Sequence, residues 1–194
     1  MQHRLAILAS GSGSNARKML EFFADHPSAK VDLIGTNRAE AGVLQHARDF
    51  DVDTLVFDRD TLRTTLAQTL VDRGVTHVVL AGFLWMIPEA LLEAYPDRMV
   101  NIHPSLLPKY GGKGMYGMHV HRAVKQAGED KSGITIHLVN ARYDEGQVLF
   151  QASTPVAPED TPEDIQQAVQ VLEHTHFAPV VAAWVDGQPI SAQA

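Results

Sequence analysis

The sequence HVVLA, residues 77–81, is a short apolar run without the alternation of polar and apolar residues that marks a half-buried strand. Such a run is typical of a strand covered by helices on both faces of a parallel sheet. On both sides of it, apolar runs alternate with stretches of helical spacing. The strand and helix pairs are 4–10 with 16–24, 31–36 with 41–49, 53–57 with 60–73 and 77–81 with 88–95, and a fifth strand is predicted at 99–103. The sequence therefore predicts an α/β fold with a doubly wound, mostly parallel, Rossmann-like sheet.

Two further strands are predicted later in the sequence. Residues 132–140 (SGITIHLVN) alternate strictly, and residues 147–153 (QVLFQAS) follow after the turn sequence YDEG. The short connection favours an antiparallel C-terminal hairpin, so we expect the sheet to end as a mixed sheet. A last helix should begin with a capping box of Thr161 and Asp164, and Pro179 should kink it or end its first section.

Composition and charge narrow the class of protein. The 194 residues carry 16 Lys and Arg against 23 Asp and Glu, and this net charge of −7 argues against a nucleic-acid partner, because such proteins usually carry a basic face. The lack of cysteine excludes disulfides, thiolate metal ligands and a Cys nucleophile. The apolar run at residues 5–9 is too short for a signal peptide or a membrane span. We expect one cytoplasmic domain, residues 1–194, with no membrane or nucleic-acid partner.

The sequence GSGSN lies between the first predicted strand and the first predicted helix. Glycines there let backbone N–H groups approach a ligand, and a helix N-terminus favours an anion, so a phosphate-binding loop is predicted. The loop consists of Gly11, Ser12, Gly13, Ser14 and Asn15, and either Ser14 or Asn15 is expected to cap the helix. Two alternatives stay open. One is a merely tight turn, and the other is the GxGxxA variant of a dinucleotide motif, with Arg38 as partner of a ribose phosphate.

The sequence NIHP, residues 101–104, is the most informative for chemistry. Residues two apart on a strand point to the same side, so Asn101 and His103 should present their side chains together at the ligand-binding edge of the sheet. This pair suits a reaction with an oxyanion intermediate, in which Asn101 stabilises the oxyanion and His103 transfers a proton. The alternative is a histidine that is hydrogen-bonded in a loop before proline. No GxSxG elbow, HExxH motif or metal-binding histidine spacing is present, which favours direct transfer between two bound substrates without a metal.

Three more residues have a structural interpretation that competes with a functional one. Asp144, in the YDEG turn, is either an ordinary turn residue or a carboxylate that raises the pKa of His103 and keeps a proton available near neutrality. For Glu173 the usual explanation is a solvated helix edge, and Trp85 belongs either to the core or to a pocket wall. Residues 104–118 form a long loop rich in glycine and proline, of a length that is usually functional or disordered.

Five blocks of sequence, in this order and spacing, resemble the glycinamide ribonucleotide formyltransferase family, the folate-dependent enzymes of purine synthesis. The blocks are SGSGSN at 10–15, VVLAGFLWMIP at 78–88, VNIHPSLLPKYGG at 100–112, SGITIHLV at 132–139 with YDEG at 143–146, and LEHTHFAPVV at 172–181. The resemblance covers nearly the whole chain and implies the formyltransferase fold. It also implies 10-formyltetrahydrofolate as donor co-substrate and 5'-phosphoribosylglycinamide as acceptor, whose glycyl amine attacks the formyl carbon.

The resemblance implies a role for each candidate residue. Asn101 matches the oxyanion-binding amide, His103 the general acid, and Asp144 the aspartate that raises the histidine pKa and assists proton transfer. The loop at residues 11–15 matches the loop that holds the acceptor's phosphate, and Glu173 matches a glutamate that contacts the acceptor. The folate side is matched by Leu84, Trp85, Met86, Ile87, Asn101 and, less closely, Arg59.

Some positions depart from the family pattern. Ser12, Trp85 and Tyr143 replace the residue types expected there, and the loop GGKGMYGMHVH, residues 111–121, is longer than in the shortest members. These departures concern the folate pocket and the loop around the reaction centre. His137 lies on the Thr135 face of its predicted strand, where it is a candidate to support the site, and no catalytic role is carried onto it.

Other functions stay open from the sequence. Methionyl-tRNA formyltransferase and formyltetrahydrofolate deformylase share a segment like HPSLLP but normally carry an additional domain, which we do not expect here. An NADP-dependent reductase would use the glycine-rich loop for a dinucleotide but gives no account of Asn101, His103 and Asp144. A non-catalytic sensor of a phosphorylated ligand would bind without turnover. The expected partners are small-molecule substrates, and the expected assembly is a monomer or a homodimer.

Overall fold

The computed structural model of the protein describes residues 2–190. Within that range the strands are β1 His3–Leu8, β2 Ala29–Thr36, β3 Asp53–Val56, β4 His77–Leu80, β5 Met99–His103, β6 Lys131–Leu138 and β7 Val148–Pro155. The helices are α1 Ser14–Phe23, α2 Val43–Asp49, α3 Arg59–Thr64, α4 Leu66–Asp72, α5 Glu89–Ala94, α6 Met118–Gln126 and α7 Pro162–Val185. None of these helices is long and apolar enough to cross a membrane.

All seven strands belong to one sheet, in the order β3-β2-β1-β4-β5-β6-β7. Strands β1 to β5 pair in parallel, β6 is antiparallel to β5, and β7 is antiparallel to β6. The chain runs outwards from β1 to β3 and then returns to place β4 on the other side of β1, which is the topology of a doubly wound sheet. The predicted fold class, with its antiparallel C-terminal hairpin, is therefore confirmed.

Helices cover both faces of this sheet, as the sequence HVVLA predicted. Val79 lies in the apolar layer that β4 shares with α1 and α7, whereas Val78 and Leu80 lie in the layer shared with α4 and α5. Val78 and Val79 are fully buried. Each such side chain contributes roughly 1.5–3 kcal/mol of hydrophobic stabilisation, so the centre of the sheet is a rigid support for groups at its strand ends.

The single helix predicted over residues 60–73 is wrong, because the chain forms two short helices, α3 and α4. They are separated at Thr65, whose φ of −126° is not helical. Asp58 caps α3 by accepting a hydrogen bond from the Thr61 backbone N–H. The Thr64 hydroxyl donates to the Asp60 carbonyl at 2.8 Å. Threonines disfavour helix interiors because they are β-branched and compete for backbone hydrogen bonds, which accounts for the break.

Of the two effects predicted for Pro179, a kink or an end to the first section of the last helix, the second does not occur, since α7 continues to Val185. Proline removes one backbone hydrogen bond from a helix. Phe177, Ala178 and Val180 beside it are buried in the core, and this packing outweighs the local penalty. The predicted capping box of Thr161 and Asp164 is confirmed.

Candidate active site

The loop at residues 11–15 joins β1 to α1, as predicted. The residue that caps α1 is Gly13, with φ of 78° and no capping side chain, so the prediction that Ser14 or Asn15 is the cap is wrong. A side chain at position 13 cannot fit, because a Cβ there would lie 2.6 Å from Val43. The first turn of α1 therefore presents backbone N–H groups, together with the positive end of the helix dipole, to the neighbouring cavity.

Helix α7 packs against this loop through two hydrogen bonds. The Asn15 side-chain amide donates to Glu173 Oε2 at 2.8 Å, and the Gln170 amide donates to the Ser14 hydroxyl at 3.3 Å. Burial raises the pKa of Glu173, and the hydrogen bond from Asn15 opposes this only in part. A solvated helix edge is therefore the wrong explanation for Glu173, whose carboxyl group lies in the cavity wall.

Asn101 and His103 lie on β5 and both line the same cavity, which confirms their predicted common side. Across the sheet, Asn101 is opposite His137, and His103 is opposite Thr135. The Asn101 side-chain amide donates to His137 Nε2 at 3.1 Å. Because an amide nitrogen carries two hydrogens, one N–H of Asn101 remains for a ligand.

The His103 ring is held between a backbone carbonyl and a carboxylate. Its Nε2 donates to the Tyr110 carbonyl at 2.8 Å, and its Nδ1 lies 3.6 Å from Asp144 Oδ1. Burial lowers the pKa of His103 by more than Asp144 and the Tyr110 carbonyl raise it. Asp144 thus raises the pKa of His103, as expected, but the net shift in the free protein is downward. The carboxylate acts in the expected direction, but desolvation of a ring that is 4% exposed outweighs it.

Asp144 is not an ordinary turn residue. It lies between β6 and β7 with φ of 57°, and its side chain is only 12% exposed. Its Oδ2 accepts a hydrogen bond from the Gly112 backbone N–H at 2.8 Å. Burial alone would raise the pKa of Asp144, but His137, the charge of His103 and the Gly112 bond together lower it. The group therefore stays a carboxylate at neutral pH, beside His103.

Two buried histidines of the site, His137 and His121, were given no catalytic role from the sequence. His137 donates from Nδ1 to the Leu138 carbonyl at 2.8 Å, which leaves Nε2 to accept from Asn101, and its Nε2 lies 3.6 Å from Asp144 Oδ1. His121, on α6, also lines the cavity, and burial lowers its pKa to about 4. The antiparallel pairing of β6 with β5 is the signal that would have found His137, because it places that ring opposite Asn101.

The segment after β4 forms the remaining wall of the cavity. Leu84, Trp85, Met86 and Ile87 all line it, with Leu84 and Met86 among the exposed large apolar side chains. Trp85 is therefore a pocket-wall residue. The Arg59 guanidinium lies 4.6 Å from the centre of the Trp85 ring, so Arg59 reaches the wall through a cation–π contact and does not itself line the cavity.

One cavity of about 580 Å³ is thus lined by every candidate residue of the formyltransferase interpretation except Arg59, and Arg38 of the dinucleotide alternative does not line it either. Its volume falls within the range of roughly 300–1,000 Å³ that is usual for small-molecule sites. The loop at residues 11–15, the segment at residues 84–87 and the group formed by Asn101, His103 and Asp144 all line this cavity. The cavity is therefore a candidate active site, because it joins a helix N-terminus that can hold an anion with groups that can stabilise an oxyanion and move a proton.

Comparison with known proteins identifies the family of this chain. A model described as formyl transferase matches residues 3–181. A phosphoribosylglycinamide formyltransferase of Escherichia coli K12 is 32% identical over 97% of this chain and 96% of its own length. The chain therefore belongs to the formyl transferase family, and within it to the group named phosphoribosylglycinamide formyltransferases.

Two plant relatives and one solved structure are also similar to this chain. The chloroplastic phosphoribosylglycinamide formyltransferase of Arabidopsis thaliana is 42% identical over 93% of this chain, which spans 64% of that relative's length. For the protein of the same name from Vigna unguiculata, the chain spans 60% of the relative's length. The crystal structure of glycinamide ribonucleotide transformylase 1 from Symbiobacterium toebii superposes with a TM-score of 0.87 at 32% identity, covering 96% of this chain and 89% of that one.

Proposed function

We propose that the protein transfers the formyl group of 10-formyltetrahydrofolate to the glycyl amine of 5'-phosphoribosylglycinamide, a step of purine nucleotide synthesis. The observation that carries the proposal is the placement of Asn101, His103 and Asp144 in one cavity with the loop at residues 11–15. Formyl transfer needs groups that stabilise an oxyanion and move a proton, and a phosphorylated acceptor needs an anion site. The relatives' names contain the same transferred group, formyl, and the same acceptor.

The acceptor's phosphate would lie at residues 11–15. Backbone N–H groups at the start of α1 would hydrogen-bond its oxygens, and the helix dipole would favour its charge. Glu173, which already accepts a hydrogen bond from Asn15, is close enough to this loop to accept another from a hydroxyl group of the acceptor. The acceptor would thus be held by its phosphate, with its amine free to extend toward Asn101.

The folate donor would lie against the apolar wall at residues 84–87. A flat aromatic ring system gains hydrophobic stabilisation by covering the exposed side chains of Leu84 and Met86. Arg59, stacked on Trp85, places a positive charge beside this wall, which suits the carboxylates that a folate carries.

The reaction would begin when the acceptor's amine nitrogen attacks the formyl carbon. A C–N bond forms, the carbonyl electron pair moves to oxygen, and the free N–H of Asn101 donates to the resulting oxyanion. Collapse of the tetrahedral intermediate breaks the bond between the formyl carbon and N10 of the folate. The amine loses one proton, and N10 gains one.

His103 and Asp144 would carry that proton. Nε2 of His103 is committed to the Tyr110 carbonyl, so Nδ1 is the nitrogen that can take up and release a proton. Although His103 has a lowered pKa in the free protein, the negative charge that develops on the oxyanion adds to that of Asp144 and favours the imidazolium.

The test is a spectrophotometric assay of the deformylation of a 10-formyl folate, with and without glycinamide ribonucleotide. Turnover that requires the acceptor is the expected result. Turnover without the acceptor would identify a deformylase, and the absence of turnover would return the reductase and the sensor to consideration.

Three further predictions belong to this proposal. The first is that residues 1–194 form one domain, of which residue 1 and residues 191–194 lie outside the described range, and its support is that both apolar layers pack on one sheet. The second is a cytoplasmic location, and the third is a monomer or homodimer that acts on small molecules.

A further inference from the structure

The backbone of Tyr110 determines which nitrogen of His103 can exchange a proton. The Tyr110 carbonyl lies 2.8 Å from His103 Nε2. Because a carbonyl oxygen only accepts hydrogen bonds, Nε2 must carry the hydrogen of the neutral ring. Nδ1 is then left to face Asp144 Oδ1, 3.6 Å away. The tautomer of His103 therefore depends on the position of one carbonyl group.

Tyr110 holds that carbonyl in an uncommon backbone conformation. Its φ is 57°, in the left-handed region that residues other than glycine rarely adopt. The Tyr110 hydroxyl donates to Glu129 Oε1 at 2.8 Å. Tyr110 is thus bonded at both ends, by its carbonyl to His103 and by its hydroxyl to Glu129.

Glu129 is in turn held by Lys109. The Lys109 ammonium donates to both carboxylate oxygens of Glu129, at 2.8 and 3.0 Å. Lys109, Tyr110 and Glu129 do not line the candidate active-site cavity but a second one, of about 410 Å³. They are therefore placed to act on His103 without touching a substrate.

We propose that Tyr110 and Glu129 are positioning residues for His103. The hydrogen bond between them keeps the Tyr110 carbonyl on Nε2 and so keeps Nδ1 as the nitrogen that exchanges the proton. This inference rests on the proposed function, in which His103 handles the proton. Because neither residue touches a substrate, their loss lowers kcat and leaves KM nearly unchanged.

The sharpest variant is Tyr110→Phe, which removes only the hydroxyl group. Glu129→Ala breaks the same contact from the other side, and Glu129→Gln, which keeps a side-chain acceptor, restores part of it. Tyr95→Phe is the matched control, because the Tyr95 hydroxyl is buried and donates to the Val75 carbonyl at 3.3 Å, outside both cavities.

The first readout is the ¹⁵N NMR spectrum of the histidine-labelled free protein, with the His103 signals assigned by their absence in His103→Gln. The wild type and Tyr95→Phe are expected to show the Nε2–H tautomer of His103. Tyr110→Phe and Glu129→Ala are expected to show a mixture of tautomers. In the acceptor-dependent assay, kcat should fall roughly 3- to 10-fold in those two variants, as for loss of part of a charge-assisted hydrogen bond.

The unchanged Nε2–H tautomer in both Tyr110→Phe and Glu129→Ala would overturn the proposal, as would a loss confined to KM. The thermal melting of each variant checks that it is folded, and the two variants break one contact from opposite sides. A wild-type protein without acceptor-dependent turnover would contradict the proposed function, whereas the tautomer is read in the free protein and would still decide the role of Tyr110.

Discussion

Asn101 and His103 are held by regular secondary structure, whereas Asp144 is held by contacts between two loops. Strand β5 pairs with β4 on one side and β6 on the other, so the direction of the Asn101 and His103 side chains follows from the sheet. Asp144 has a left-handed backbone conformation, and its side chain bonds to Gly112 in another loop. Substitutions on the strand should therefore remove chemistry without moving neighbours, while substitutions in the loops should change both chemistry and placement.

The largest effect is expected for His103→Ala, on the strand side of this comparison. Loss of the group that moves the proton should lower kcat by about 10²- to 10⁴-fold. The acceptor-dependent deformylation assay measures this, and thermal melting checks that the sheet is intact. A variant that loses only affinity for the acceptor would show that His103 binds substrate and does not transfer a proton.

Asn101→Ala should come next, with a loss of about 2.7–4 kcal/mol of transition-state stabilisation, or roughly 10²- to 10³-fold in kcat. The reason is that the variant removes the N–H that faces the oxyanion. His137 also loses its hydrogen-bond donor, so its ¹⁵N signals should shift. Unchanged turnover in a folded variant would exclude Asn101 from oxyanion binding.

Asp144→Asn tests the residue that is held by loop contacts. It should lower kcat by a smaller factor, roughly 10- to 100-fold. The Asp144 carboxylate raises the pKa of His103, so its removal should lower that pKa further. The limb of the pH profile that reports His103 should therefore move to lower pH. If the profile keeps its position, the charge of Asp144 does not act on His103.

The smallest effect is expected for Glu173→Gln, and it concerns stability. Burial raises the pKa of Glu173, so the folded state binds this proton more tightly than the unfolded state does. That contribution to stability is present below the ordinary value of 4.5 and is lost as the pH rises through the raised pKa. The uncharged variant should thus melt about 1–4 °C higher than the wild type at pH 7, and the difference should vanish near pH 4.

Exposed Glu159 offers a matched control for this measurement. Glu159→Gln should change the melting temperature by the same small amount at both pH values, because its side chain is in water in both states. A melting temperature of Glu173→Gln that does not differ from the wild type at pH 7 would show that the Glu173 carboxylate is fully compensated when charged.

Many of the correct predictions came from patterns between neighbouring residues of the sequence. The apolar run at 77–81, the two-residue spacing of Asn101 and His103, and the capping box at Thr161 each involve neighbours along the chain, and the structure confirms all three. The same local reasoning was wrong at residues 60–73 and for the end of the helix at Pro179. At Pro179, tertiary packing outweighed a local preference.

The sequence by itself thus determined the succession of strands along the chain and the common side of Asn101 and His103, because periodicity is a property of neighbouring residues. Only the tertiary structure decided that His137 lies opposite Asn101 and that Glu173 accepts a hydrogen bond from Asn15. The same holds for the hydrogen bonds that link His103 to the Tyr110 carbonyl and the Tyr110 hydroxyl to Glu129. It also decided the direction of the His103 pKa shift, since desolvation depends on everything packed around the ring. These properties arise from contacts between residues far apart in the chain, which no local pattern contains.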